Sequence, residues 1–217
     1  MKAPVHKPSP KPYHHGNLRE AVIETAARMA DAEGIQALSL RQVAQKLQVS
    51  HTAPYHHFKN KAELIAAIAD AGLSRLEAEL KAACERSAEA PPREQLRALG
   101  MAYIRFAQAH PHYFRVMFRP ELFKEIPVSE TEPPDRSFLV LIDVLQRHVG
   151  ETGAPSSHVL NLALFAWSTV HGLASLWIDG SLADTPPYVT QTLDDLANRV
   201  MDQFEQCLQI AASTPHA

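Results

Sequence analysis

Three closely spaced helix starts constrain this chain more than any other feature. Asn17-Leu-Arg-Glu20, Ser39-Leu-Arg-Gln42 and Asn60-Lys-Ala-Glu63 each set a capping oxygen three residues ahead of an acid or amide that can reach back. Every start requires the preceding helix to have ended. Gly34 supplies the left-handed residue that ends the first one, after a stripe of Leu18, Val22, Ala26 and Met29. The second helix, with Leu40, Val43, Ala44 and Leu47 inward, runs only to about Leu47, because a further capping residue, Ser50, follows. A short third helix over 51–57 is expected, with Ala53 facing inward and Phe58 as the plug that locks it. Two short helices joined by a three- or four-residue turn make a helix-turn-helix.

The rest of the chain reads as helix too. It has 217 residues, 46% hydrophobic and only 8 glycines, and Ala, Leu, Glu, Arg and Gln dominate, which is helix-forming chemistry. A long helix runs from Asn60 to about Glu85, Pro91 and Pro92 break it, and a helix over 93–109 follows. Pro111 opens a short aromatic one, and 135–149, 156–180 and 187–212 carry helical patterns. The four-proline stretch 119–135 reads as a loop, and the proline-rich residues 1–12 as a disordered arm. The fold class is all-α, with a three-helix head over 13–60 and a helical body over 61–213. No apolar run reaches the length of a bilayer span and the N-terminus lacks a signal-peptide pattern, so the expected location is the cytoplasm. Cys84 and Cys207 are expected to be idle thiols.

Charge is divided unevenly. Residues 1–61 hold nine Lys and Arg against four acids, a balance of +5, while the whole chain stands at −3. A basic head on an acidic body points to a polyanion met at one end. In a helix-turn-helix the second helix enters the DNA major groove with its leading residues towards the base edges. Here those are His51 and Thr52, with Ser50 as their cap; Tyr55, His56 and His57 reach phosphates, and Arg41, Gln42 and Lys61 open helices whose free amides favour an anion. The alternative is a helical sensor or adaptor whose basic head binds an acidic protein partner.

The stretch "NLREAVIETAARMADAEGIQALSLRQVAQKLQVSHTAPYHHFKNKAEL" (17–64), through "LSLRQVA" and "PYHHFKNKAEL", resembles the DNA-binding domain of the TetR family of transcriptional regulators. Less specifically, "AWSTVHGLASLW" (166–177) resembles a Trp-x-x-x-His-Gly stretch of one subgroup. The resemblance implies a homodimer on double-stranded operator DNA and a C-terminal domain that senses a small molecule and dimerises. It also carries the family's DNA contacts onto His51, Thr52, Tyr55, His57 and Lys61. The sequence departs from the family at Gln48, where glycine is usual, and at Pro54, inside the recognition helix.

The body supplies the rest. Trp167 and His171, four apart on one helix face extended by Leu164 and Ala174, suit an apolar cavity with one orienting polar group. Phe106, Phe114, Met117 and Phe118 are further candidates to line it, while Gly172 marks a place where two helices could approach closely. Dimerisation is expected through 156–180 and 187–212, the latter with a stripe of Leu193, Leu196, Val200, Phe204 and Leu208. The adjacent histidine pairs point about 100° apart and lack acids or cysteines at zinc spacing, so neither a metal nor a cofactor is expected. No nucleophile, phosphate-loop or metalloprotease motif points to an enzyme.

Overall fold

Ser39 and Asn60 adopt the extended backbone that a helix cap requires. The Ser39 hydroxyl accepts from the Gln42 amide at 3.2 Å and donates to the Gln42 side-chain carbonyl at 2.7 Å. Asn60 accepts from the Glu63 amide at 2.8 Å, and the Glu63 carboxylate reaches one residue past the expected partner, to the Lys59 amide at 2.6 Å. The computed structural model describes residues 18–118, 136–182, 185–186, 188 and 190–213. The readings of Asn17, the arm 1–12 and the segment 119–135 lie outside these.

Among the described residues the regular elements are all helical. They are α1 (Leu18–Glu33), α2 (Leu40–Lys46), a 3-10 turn (Ala53–His56), α3 (Lys61–Arg86), α4 (Pro92–Ala109), α5 (Pro111–Met117), α6 (Arg136–Val149), α7 (Ser157–Ile178) and α8 (Leu193–Ser213). Gly34 ends α1 with φ +84°, and Gln48 follows α2 with φ 57°.

Two expected elements are corrected. The helix over 51–57 is a 3-10 turn: the amides of Ala53, Tyr55 and His57 each donate three residues back, at 2.9 to 3.1 Å. Pro54 has no amide to give, and so short a span has little to gain from the wider α ladder. Pro54, rather than Ala53, is the residue that turns inward. The last helix starts at Leu193 rather than 187, because Thr192 and Asp195 cap one another: the Asp195 amide donates to the Thr192 hydroxyl at 3.2 Å, and that hydroxyl donates to the Asp195 carboxylate at 2.7 Å.

α1, α2 and the 3-10 turn close over Val22, Ile23, Ala26, Val43 and Phe58. α3 runs from this head into the body, where it meets α4, α5 and α6, while α4 also meets α7 and α8. The close helix approaches fall at Gly72 and Gly100. A Cβ there would lie 2.5 Å from the Met117 sulfur and 2.6 Å from the Met201 sulfur respectively, whereas nothing approaches Gly172 within 4 Å.

α7 also corrects the reading of membrane-spanning length. It carries no Asp, Glu, Lys or Arg, and by length and composition alone it could cross a membrane. It packs against α4, α6 and α8, with Leu160, Leu164, Phe165 and Leu176 exposed along its outer side. Leu164, in register with the Trp167–His171 face, stays in solvent outside the aromatic cluster, whereas Ala174 is buried. α8 does the reverse: Leu193, Leu196, Phe204 and Leu208 are buried within the protomer, with Val200 half-buried.

Candidate nucleic-acid and effector sites

The tip of the head is a polar surface mounted on an apolar peg. Pro54 and Phe58 are buried, and the residues between and before them (His51, Thr52, Tyr55, His56 and His57) are all exposed. Tyr55 keeps 51% of its surface in solvent. Hydroxyls of Ser50 and Thr52 lie 2.8 Å apart, and the Thr52 amide donates to Ser50 at 3.3 Å, which fixes the leading edge of the turn. Arg41 and Gln42 lie exposed on the first turn of α2, with the Gln42 side chain tied to the Ser39 hydroxyl. Lys61 is engaged internally. Its amine donates to the Gln36 carbonyl at 2.8 Å, tying the start of α3 to the loop after α1.

Of the six residues read as effector contacts, four converge. His171 stacks on Phe114 with ring centroids 5.2 Å apart, meets Phe118 edge-on at 4.7 Å, and lies 5.5 Å from Trp167. Met117 packs instead on α3 at Gly72, and Phe106 turns to His110 at 5.1 Å. The partner that the sequence reading missed is Tyr103. Its hydroxyl lies 2.9 Å from His171 Nδ1 and accepts from Trp167 Nε1 at 3.4 Å. Burial holds the His171 imidazole below its usual pKa, in the neutral form. Tyr103 had a signal available, as the one polar aromatic on the apolar stripe of α4.

Trp167 and Tyr103 also form a wall of a cavity between α3, α4, α6, α7 and α8, which Phe138, Leu141, Val170 and Phe204 help to close. Its cavity volume is about 50 Å³, within about 580 Å³ of empty space that opens into solvent. It is a slot rather than a chamber.

α5 joins this region to the head. Tyr113 donates to Glu24 of α1 at 2.8 Å, beneath the Arg75 guanidinium, which sits 4.4 Å from the Tyr113 ring centre and 3.0 Å from Glu24. Burial alone would raise the Glu24 carboxyl, but hydrogen bonds from Tyr113, Arg28 and Arg75 outweigh it and hold the pKa at about 2. Arg115 pairs with Asp31 at the end of α1 and donates to the Ile178 carbonyl at the end of α7 at 2.6 Å. One seven-residue helix thus touches the head, the His171 cluster and the end of α7.

Comparison with known proteins agrees with this layout. Residues 22–68 match the bacterial regulatory proteins of the tetR family, and residues 96–212, more than half the chain, match the tetracyclin repressor-like C-terminal domain. The tetracycline repressor protein class C of Escherichia coli is 45% identical over 56 residues, so the match spans 26% of that relative's length and of this chain. A protein of unknown function from Rhodococcus sp. RHA1 superposes with a TM-score of 0.68 at 29% identity, over 91% of this chain and 98% of its own. PfmR, a TetR family transcriptional regulator from Thermus thermophilus, gives 0.59 at 26% identity, over 85% and 97%. The chain belongs to the TetR family of bacterial regulators, whose members are ligand-responsive DNA-binding proteins.

Proposed function

We propose that the chain represses transcription as a cytoplasmic homodimer, holding one operator with two heads and letting go when a small, mostly apolar molecule enters the body. The observation that carries this reading is the exposed polar tip over the buried Pro54 and Phe58. In that reading His51 and Thr52 meet base edges, Tyr55, His56 and His57 meet phosphates, and Ser50 sets the turn. Arg41 and Gln42 approach the backbone from α2. Lys61 contributes its charge while holding the Gln36 carbonyl.

Two heads require a pair of protomers, and the outer side of α7 supports one. Leu164 is 54% exposed and Leu160, Phe165 and Leu176 lie along the same side. A second copy would cover such an apolar surface. α8 would join that bundle through its polar side, since its apolar residues are already used. Release would run through α5: a molecule that displaces Trp167 and His171 moves Phe114 and Phe118, and with them Tyr113 and Arg115 of α5, which hold Glu24 and Asp31 of α1.

The test is fluorescence anisotropy of the full chain on the duplex upstream of its own gene, against a scrambled duplex, across salt concentrations. A preference for the native duplex with a steep salt slope is expected, because phosphate neutralisation releases counterions. Tyr55→Phe and His57→Ala should weaken it without altering helical content. Leu164→Glu should break the dimer in sedimentation and the operator complex with it. No binding even at low salt would return the adaptor reading with an acidic protein partner.

A further inference from the structure

We infer that the effector is uncharged: the slot beside Tyr103 and Trp167 takes a slender, mostly hydrocarbon molecule carrying one hydrogen-bond acceptor. The inference rests on the effector reading above. Three features of the slot carry it.

The first is what lines it. Among the described residues, none of the thirteen that line it bears a formal charge, and the polar side chains there are Tyr103, Trp167 and Ser137. The arginines of α4 are occupied elsewhere: Arg93 and Arg97 pair with Glu205 and Asp202, and Arg105 with Asp194, all on α8. His171 stands behind Tyr103 as a neutral ring. A carboxylate or ammonium group entering here would leave water and find no counter-ion among the described residues, which opposes its binding.

The second is the state of the polar groups. Tyr103 and His171 lie at a full-strength 2.9 Å, whereas the Trp167 indole reaches Tyr103 at 3.4 Å, a long and weak bond. The indole N–H is therefore the loosely held donor at the slot wall. A ketone, ester or ether oxygen could take it without undoing the Tyr103–His171 pair. A bound acceptor would draw Trp167 away from Tyr103, and this ring chain continues through His171 to Phe114 and Phe118.

The third is width. Gly100 and Met201 pack directly on one another where they border the slot, and a Cβ on Gly100 would meet the Met201 thioether at 2.6 Å. Methionine adapts its shape readily, so the position of the Met201 side chain against Gly100 sets how far that wall stands into the slot.

The experiment uses isothermal titration of the full chain at pH 8 with two pairs of probes matched in shape: 2-nonanone against octanoate, and 2-acetylnaphthalene against 2-naphthoate. Each ketone should bind at least about tenfold more tightly than its carboxylate partner. Gly100→Ala, which pushes the Met201 thioether into the slot, should weaken ketone binding by about fivefold or more while leaving helical content unchanged. Ala166→Leu, which fills the slot from α7, should act in the same direction. Equal or tighter carboxylate binding overturns the inference, as do ketone binding indifferent to both substitutions and no ketone binding up to the solubility limit.

Operator anisotropy in the same samples separates this inference from the reading beneath it. Tight ketone binding that leaves operator affinity unchanged keeps the neutral slot and breaks the release mechanism. Carboxylates that alone release the operator keep the release mechanism and overturn the neutral slot.

Discussion

In the head, Phe58 is 1% exposed beside Val22, Ala26 and Val43, which are wholly buried, and the polar groups of the turn all face water. In the body, a slot remains open among Leu99, Leu141 and Val170, while leucines of α7 stand in solvent. Similar side chains thus serve opposite ends. A surface that reads DNA must be preformed, because a loose reading turn would have to be ordered at each encounter. A sensing body needs an interior that admits a guest and an exterior that admits a partner. Tightness belongs to the part that positions side chains, and unfilled or uncovered apolar surface to the part that responds.

The largest test of that contrast is Phe58→Ala. The head is small, and removing the large buried ring of Phe58 should cost about 3–5 kcal/mol, enough for the head to unfold at lower urea than the body. Urea unfolding followed by circular dichroism should then show two transitions where the parent shows one. A loss below about 1 kcal/mol would mean that the head is less tightly filled than the burial of Phe58 implies.

The seam between the regions gives a smaller effect with a pH signature. Glu24 has its carboxyl held at about 2, below the ordinary 4.5, so it stabilises the folded state fully above about pH 4.5. That contribution is lost as pH falls to about 2. Glu24→Gln keeps an acceptor for Tyr113 and loses the charge that Arg28 and Arg75 face. At pH 7 it should cost about 1–2 kcal/mol, and the difference from the parent should close as the pH drops through that window. A difference that stays constant would show that the carboxylate acts by shape rather than charge.

Legibility in the sequence follows the same division. The caps at Ser39 and Asn60, the left-handed Gly34 and the plug Phe58 depend on residues within a few positions of one another, and each is found as read. The 3-10 turn is equally local, since Pro54 announces a missing amide, while the cap at Ser50 points only to a helix. So was the box at Thr192 and Asp195, overlooked because helical patterning extends ahead of it. The body depends on which helices meet. Phe106 and Met117 have the composition of pocket residues, but α4 and α5 point them at His110 and Gly72. Tyr103 and His171 are 68 residues apart, and only the crossing of α4 and α7 makes them partners. Amphipathic spacing likewise told that α8 has an apolar side, not that its own protomer would cover it.

The smallest effect sharpens the contrast where the head carries backbone strain. Gln48 sits at φ 57°, the left-handed region in which a Cβ crowds the following carbonyl. Its side chain is exposed, so nothing buried is lost by removing it. Gln48→Gly relieves the crowding, worth about 1–2 kcal/mol, but glycine also gives the unfolded chain more freedom, costing about 0.5–1 kcal/mol. The net expectation is a gain of about 0.5–1 kcal/mol, read as a higher urea midpoint for the head. The turn between α2 and the reading residues would keep its path, because the Val49 amide already donates to the Ala44 carbonyl at 3.1 Å without help from Gln48. Operator affinity should therefore hold while stability rises. If affinity falls instead, the Gln48 side chain contributes to the DNA surface itself, and the strained conformation is retained for what that side chain reaches.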